Sequence, residues 1–108
     1  MKNAEGAVTG FDIAAIDDII HGRLRLGIMA YLSGSGSAEF NELKQKLQAT
    51  DGNLSVHLRK LEEAGYVAVD KSFFGRKPLT RVTLTDQGRQ AFIAYLDVID
   101  KLLPKAGA

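Results

Sequence analysis

Five polar side chains fall within eight residues near the middle of the chain: Asn53, Ser55, His57, Arg59 and Lys60. Their types suit non-covalent recognition of a base-bearing polyanion. An amide such as that of Asn53 can pair bidentately with adenine, and a hydroxyl such as that of Ser55 can reach either base type. Basic groups meet phosphate. Gly52 lets a backbone come close. A second basic pair, Arg76 and Lys77, follows in the run FGRKP.

The other residues that could do chemistry are not arranged for it. There are no cysteines, so there is no disulfide framework and no thiolate metal site. The only histidines are His21 and His57, far apart in sequence. His57 reads as a helix-packing or phosphate-contacting residue and not as a ligand or catalyst. Asp17–Asp18 and Glu62–Glu63 are paired acids, but sequence neighbours on a helix do not face each other. They read as solvated faces and not as an acid/base dyad. Ser33–Ser37, SGSGS, has no lysine and no preceding strand, so it reads as a loop and not as a phosphate cradle. No nucleophile, base and orienter come together, and no cofactor or metal is expected.

The stretch TDGNLSVHLRKLEEAGYV, residues 50–67, must position the polar cluster. Thr50 can cap a helix by accepting an amide proton of its first turn. Leu54, Leu58 and Leu61 follow at helical spacing as one apolar stripe. Gly65 falls where a helix ends in a left-handed residue. The expected helix is about 20 Å long. With its leucines inward it turns Gly52, Asn53, Val56, Arg59, Lys60 and Glu63 outward, flanked by Ser55 and His57.

The net charge of +1 over 108 residues argues little, but its distribution does. Residues 1–56 carry five Lys/Arg against seven Asp/Glu, residues 57–81 six against three, and residues 82–108 three against three. The basic excess lies in the central helix and the segment after it. The length suits one domain, residues 1–108. No apolar run reaches the ~20 residues of a membrane span, and acids interrupt any signal-like N-terminus. The chain reads as soluble and cytoplasmic.

In order, residues 1–10 read as a flexible start. Phe11–Ile20 reads as a short amphipathic helix capped by Asp12 and broken by Gly22, with Ile13, Ile16 and Ile20 on one side. Arg23–Leu32 resumes a helical pattern, and Gly27 within it costs about 1 kcal/mol relative to Ala while allowing another helix to come close. Ala38–Phe40 reads as extended. Asn41 reads as the cap of a helix with Leu43 and Leu47 inward. Residues 41–64 thus form a helix-turn-helix candidate. Val67, Val69 and Lys71 alternate with Ala68, Asp70 and Ser72, FGRKP supplies a turn, and Thr80, Val82 and Leu84 return. Residues 67–84 read as a basic-tipped hairpin, a wing. Thr85 caps a last helix that Pro104 ends. Its apolar residues Phe92, Tyr95, Leu96, Ile99, Leu102 and Leu103, with their neighbours, span roughly 160°, wider than the ~100° one core needs.

NLSVHLRKLEEAGYV at 53–67, FGRKP at 74–78 and LTDQG at 84–88, in this order, resemble the winged helix-turn-helix of bacterial and archaeal regulators. The likeness is to the MarR and ArsR superfamilies, most of all the small stand-alone regulators grouped with MarR, and it runs from about Leu24 to Leu103. It implies a mainly α protein with a small β-hairpin (α+β). It also implies a homodimer on double-stranded DNA, with the segment matching Thr50–Arg59 in the major groove and Arg76 and Lys77 along the backbone or in the minor groove. The expected DNA-binding residues are Thr50, Asp51, Gly52, Asn53, Ser55, Val56, His57, Arg59, Lys60, Arg76 and Lys77. The resemblance makes dimerisation helices of residues 11–22 and 86–103, and the surplus apolar surface agrees. The expected interface is Ile13, Ile16, Ile20, Phe92, Tyr95, Leu96, Ile99, Leu102 and Leu103. ArsR-type metal sensors carry cysteines or clustered ligands that this chain lacks. A winged-helix module that binds protein and not DNA is the competing reading. The basic wing favours DNA. The operator, the regulated genes and any small-molecule effector are not written in the sequence.

Overall fold

The computed structural model describes residues 11–104. The flexible start expected over residues 1–10 lies outside them. Four α-helices and a three-stranded antiparallel sheet follow in the order α1 (Arg23–Ser35), β1 (Ser37–Glu39), α2 (Phe40–Leu47), α3 (Asp51–Glu63), β2 (Val67–Phe74), β3 (Lys77–Leu84) and α4 (Asp86–Leu102). This is the winged-helix architecture that the sequence pattern implied.

Local chemistry explains α3. The Thr50 hydroxyl accepts from the Asn53 amide at 3.1 Å, closing the first turn. Leu54, Leu58 and Leu61 are buried. At the other end Gly65 adopts φ +82°. Its amide donates to Glu62 O and the Tyr66 amide to Leu61 O, both at 2.9 Å, which satisfies the last carbonyls. The turn so formed is tied to α4. The Thr85 hydroxyl donates to Gly65 O at 2.6 Å and accepts from the Gly88 amide at 2.9 Å.

The wing is a long hairpin in register from Val67↔Leu84 to Phe74↔Lys77. Gly75, at φ +63°, and Arg76 form its two-residue turn. A positive φ at the first central residue suits the right-handed twist of the flanking strands. β1 adds a short third strand on the far side of β3, pairing Ala38 with Val82. That strand, expected only as an extended piece, makes a sheet of what the sequence suggested was a hairpin alone.

The core lies between the helices and the base of the sheet. Ile20, Ile28, Met29, Leu32, Ala38, Leu43, Leu54, Leu61 and Val82 are fully buried, with Leu58, Val67, Leu84, Phe92 and Tyr95 nearly so. Gly27 gives α2 its close approach, since a Cβ there would come within 2.9 Å of Leu47 Cδ2.

Several expectations are corrected. Residues 11–22 are not an α-helix: only Ile13–Ala15 make a single 3-10 turn. Asp12 does cap it, accepting from the Ala14 amide at 3.0 Å. The Asp17 carboxylate accepts from the Ile19 amide at 2.8 Å, a local bond that competes with helix, and the isoleucines around it are weak helix formers. The run SGSGS is not a loop, because α1 continues through Ser35. Ser33 and Ser35 bond back to Ala30 O and Tyr31 O, and Gly36, at φ +79°, ends the helix. The cap of α2 is Glu39 and not Asn41: Glu39 and Glu42 form a reciprocal capping box.

Candidate nucleic-acid interface

The leucine stripe that buries one side of α3 fixes what the other side shows. Thr50, Asp51, Gly52, Asn53, Ser55, Val56, Arg59 and Lys60 are all exposed, and His57 is half-buried. Two open clefts flank the exposed face. One, of about 370 Å³, lies between α3 and the wing and is lined by Asp51, Ser55, Arg59 and Glu62 on the helix and by Val69, Lys71 and Thr80 on the strands. The other, of about 640 Å³, is lined by Asn53 and His57 together with Arg23, Lys46 and Gln48. Gly52 and Val56 stand on the ridge between. Val56 is an exposed methyl-bearing side chain among polar ones, the kind of group that meets a thymine methyl.

The cations gather around this face. Arg59 and Lys60 sit on the helix, Lys71 on the wing wall, and Arg76 and Lys77 at the wing tip, all exposed. Arg23 and Lys46 edge the wider cleft. These two and Lys71 were missed at the sequence level. A charge count by segment hid Arg23 and Lys46 within an acidic half. Asp51 is partly neutralised by Lys44 at 2.7 Å, an exposed pair of small energetic value.

His57 is held from within. Its Nδ1 accepts from Arg25 at 2.8 Å, and burial, then the charges of Arg25 and Lys60, push its pKa below the ordinary histidine value. The segment before α1 is strapped to α1, to α4 and to the turn between α3 and β2. Tyr66 donates to Asp17 at 2.5 Å, which pushes the Tyr66 pKa up to about 12. His21 Nδ1 lies 2.8 Å from the Tyr95 hydroxyl. Arg25 donates to the backbone carbonyls of Ile19 and Asp18. Tyr31 donates to Glu42, which raises the Tyr31 pKa.

The apolar residues expected at a dimer contact divide into two sets. Ile20, Phe92 and Tyr95 are closed inside the chain's own core. Ile16, Ile99 and Leu102 are half-buried, and Ile13, Leu96 and Leu103 are exposed, joined by Ile93, which the sequence reading left out. The wide apolar stripe of α4 is therefore two stripes. One, Gly88–Phe92–Tyr95, packs inward; the other, Ile93–Leu96, faces out, and the exposed Leu103 follows at the extended C-cap.

Among the described residues no group of three or more His, Cys, Asp or Glu could hold a metal, and no helix is long and apolar enough to cross a membrane.

A helix-turn-helix whose second helix shows a polar, cation-flanked face, followed by a basic hairpin, defines a winged-helix DNA-binding protein. Residues 24–103 match the family described as "Winged helix DNA-binding domain", and the chain belongs to that family, as a regulator of the MarR-like kind. It is 45% identical over 78 residues to an uncharacterised protein of Methanocaldococcus jannaschii, covering 72% of this chain and 85% of that one. The structure of a transcriptional regulator homologue from Pyrococcus horikoshii OT3 superposes with a TM-score of 0.74 at 31% identity, over 89% of this chain and 91% of that one. Overoxidised AbfR bound to DNA gives a TM-score of 0.65 at 25% identity, over 73% of this chain and 57% of that one. The family binds DNA and is not enzymatic, so the chain is a DNA-binding regulator.

Proposed function

We propose that the chain, as one domain, acts as a homodimer on double-stranded DNA, reading sequence with the first two turns of α3 in the major groove and gripping the backbone or minor groove with the wing. The observation that carries this reading is the face of α3 itself. Asn53 lines the wider cleft, where Arg23 and Lys46 are both basic, Ser55 lines the narrower one, where Arg59 and Lys71 stand with Asp51 and Glu62, and Val56 stands between the two. Hydrogen-bonding and methyl groups at the centre with cations at the edges match base edges flanked by phosphates. Thr50, Asp51 and Gly52 bring the helix N-terminus to the groove. Arg59, Lys60, Arg76 and Lys77 neutralise phosphate, and His57 supplies a neutral donor beside them.

Selection of bound sequences from random duplex DNA tests the reading. The expected product is a pseudo-palindrome with half-sites about one turn, roughly 34 Å, apart, and binding that weakens steeply with salt. Recovery of no shared sequence together with salt-insensitive binding would instead favour a module for protein partners.

A further inference from the structure

The outer half of the wing carries two phenylalanines that the fold does not use. Phe73 and Phe74 are 73% and 79% exposed. Every residue from Asp70 to Pro78 is exposed, so this part of the hairpin stands clear of the core. Successive strand residues face opposite sides. Phe73 therefore shares its face with Val69 and Lys71, which line the cleft beside α3, and sits opposite Pro78. Phe74 is on the other face, opposite Lys77 and next to the Gly75–Arg76 turn. Exposed aromatic rings at a sheet tip invite aggregation unless a partner covers them.

The surrounding charge selects the partner. Lys71, Arg76 and Lys77 share the tip with the rings, while the nearby Asp70 stands opposite Arg81 in the ladder. Apolar rings ringed by cations complement a body that is anionic outside and apolar within, which describes a stacked duplex. Continuity with the cleft at α3 points to the same duplex. The minor groove, about 6 Å wide, admits the side chains of a hairpin tip.

We propose that the wing tip is a wedge. Phe74 leads into the minor groove beside the site held by α3 and presses on a base step. Phe73 packs on the groove wall, and Arg76 and Lys77 hold the adjoining phosphates. The duplex then kinks toward the major groove, and flanks with flexible pyrimidine–purine steps are preferred although no hydrogen bond reads them. This inference rests on the proposal that α3 and the wing bind duplex DNA.

The test uses the full chain and a duplex recovered by selection, labelled at both ends for energy transfer, with 2-aminopurine placed in turn at each flanking step. The wild type should bend the duplex by at least about 20° and brighten one flanking pyrimidine–purine step. Phe74→Ser should abolish the brightening, straighten the duplex and weaken binding by about tenfold, with the salt slope unchanged. Phe74→Leu, still an apolar wedge, should restore the bend. Equal bending and equal brightening by the wild type and Phe74→Ser overturn the wedge while leaving DNA binding intact. So does a loss of self-association in DNA-free Phe74→Ser, which would assign the rings to a protein contact. A wild type that binds no duplex at all overturns the underlying DNA reading, and the wedge with it.

Discussion

The guanidinium of Arg25 donates to Nδ1 of His57 at 2.8 Å, joining the first turn of α1 to the middle of α3. The same group donates to Ile19 O at 2.6 Å, so the segment before α1 and the recognition helix hang on one cation. An arginine can only donate, and an imidazolium cannot accept. His57 is therefore neutral here, with its proton on Nε2. The orientation of one α3 side chain is thus set from outside the helix.

That arrangement has a pH signature. The folded His57 pKa is depressed, by burial first and then by Arg25 and Lys60. The unfolded chain therefore takes up the proton first as pH falls. The contribution of His57 to stability is full above about 6.5 and is lost as pH drops from there toward the lowered folded value. The wild-type denaturant midpoint should fall more steeply as pH drops below about 6.5 than that of His57→Gln. Parallel midpoint curves would remove the argument.

Arg76 occupies the two-residue turn of the wing and, like both its neighbours, is exposed. Arg76→Ala should weaken binding to all duplexes alike and lower the slope of log K against log salt by about one. An unchanged slope would mean that the residue does not neutralise phosphate.

Asn53 lies in the first turn of α3, exposed, on the rim of the wider cleft. Asn53→Ala should cost about 1–3 kcal/mol on the selected sequence and much less on random DNA. The comparison is a competition titration on the two duplexes. Equal losses would reduce Asn53 to a positioning contact. Its amide caps the helix through Thr50 whatever the side chain, so folding should be unaffected.

Gly88 inverts the usual helix rule. Glycine to alanine inside a helix normally stabilises by about 1 kcal/mol. Here a Cβ would fall 2.0 Å from the Tyr66 carbonyl oxygen and 3.0 Å from Leu84 Cδ1. Backbone cannot give way cheaply, so Gly88→Ala should destabilise by about 1–3 kcal/mol or more by pushing α4 off the turn at Gly65–Tyr66. Chemical denaturation reads this directly, and a stabilised variant would refute it.

What could be read in the sequence was what local chemistry decides. Thr50, the leucine spacing and Gly65 bound α3, and alternation with a glycine turn bounds the wing, because each signal acts within a few residues. The misreadings share a cause in tertiary structure. The isoleucines at 13–20 carry helical spacing, yet Asp17 is taken by Ile19 and Tyr66, and Ile20 is drawn into the core. Ser33–Ser35 look like a loop until their hydroxyls turn back on the helix. β1 needs β3, over forty residues away, to become a strand. The polar face of α3 was legible, but its link to Arg25 and the cleft cations Arg23 and Lys46 required the fold.

The proposed dimer divides α4 between two duties, and that division can be measured. Ile93 and Leu96 are 62% and 48% exposed, whereas Phe92 and Tyr95 are 7% and 4% exposed. Residues three and four apart share a helix face, so Ile93 and Leu96 form an outer ridge, with exposed Leu103 just past the helix and exposed Ile13 and Phe11 as further apolar surface. Large exposed apolar patches mark contacts, and a ridge meeting its own copy gives a two-fold interface. Leu96→Glu and Ile93→Glu should therefore leave a folded monomer that has lost most of its affinity for a two-half-site duplex. Phe92→Ala should instead cost about 3–5 kcal/mol of folding stability, as a buried ring does. Sedimentation across micromolar concentrations, with circular dichroism for folding, separates the two effects. A wild type that stays monomeric and binds DNA at full affinity would exclude the dimer. Dimers untouched by either glutamate would move the contact off α4, leaving the segment around Ile13 and Ile16 to carry it.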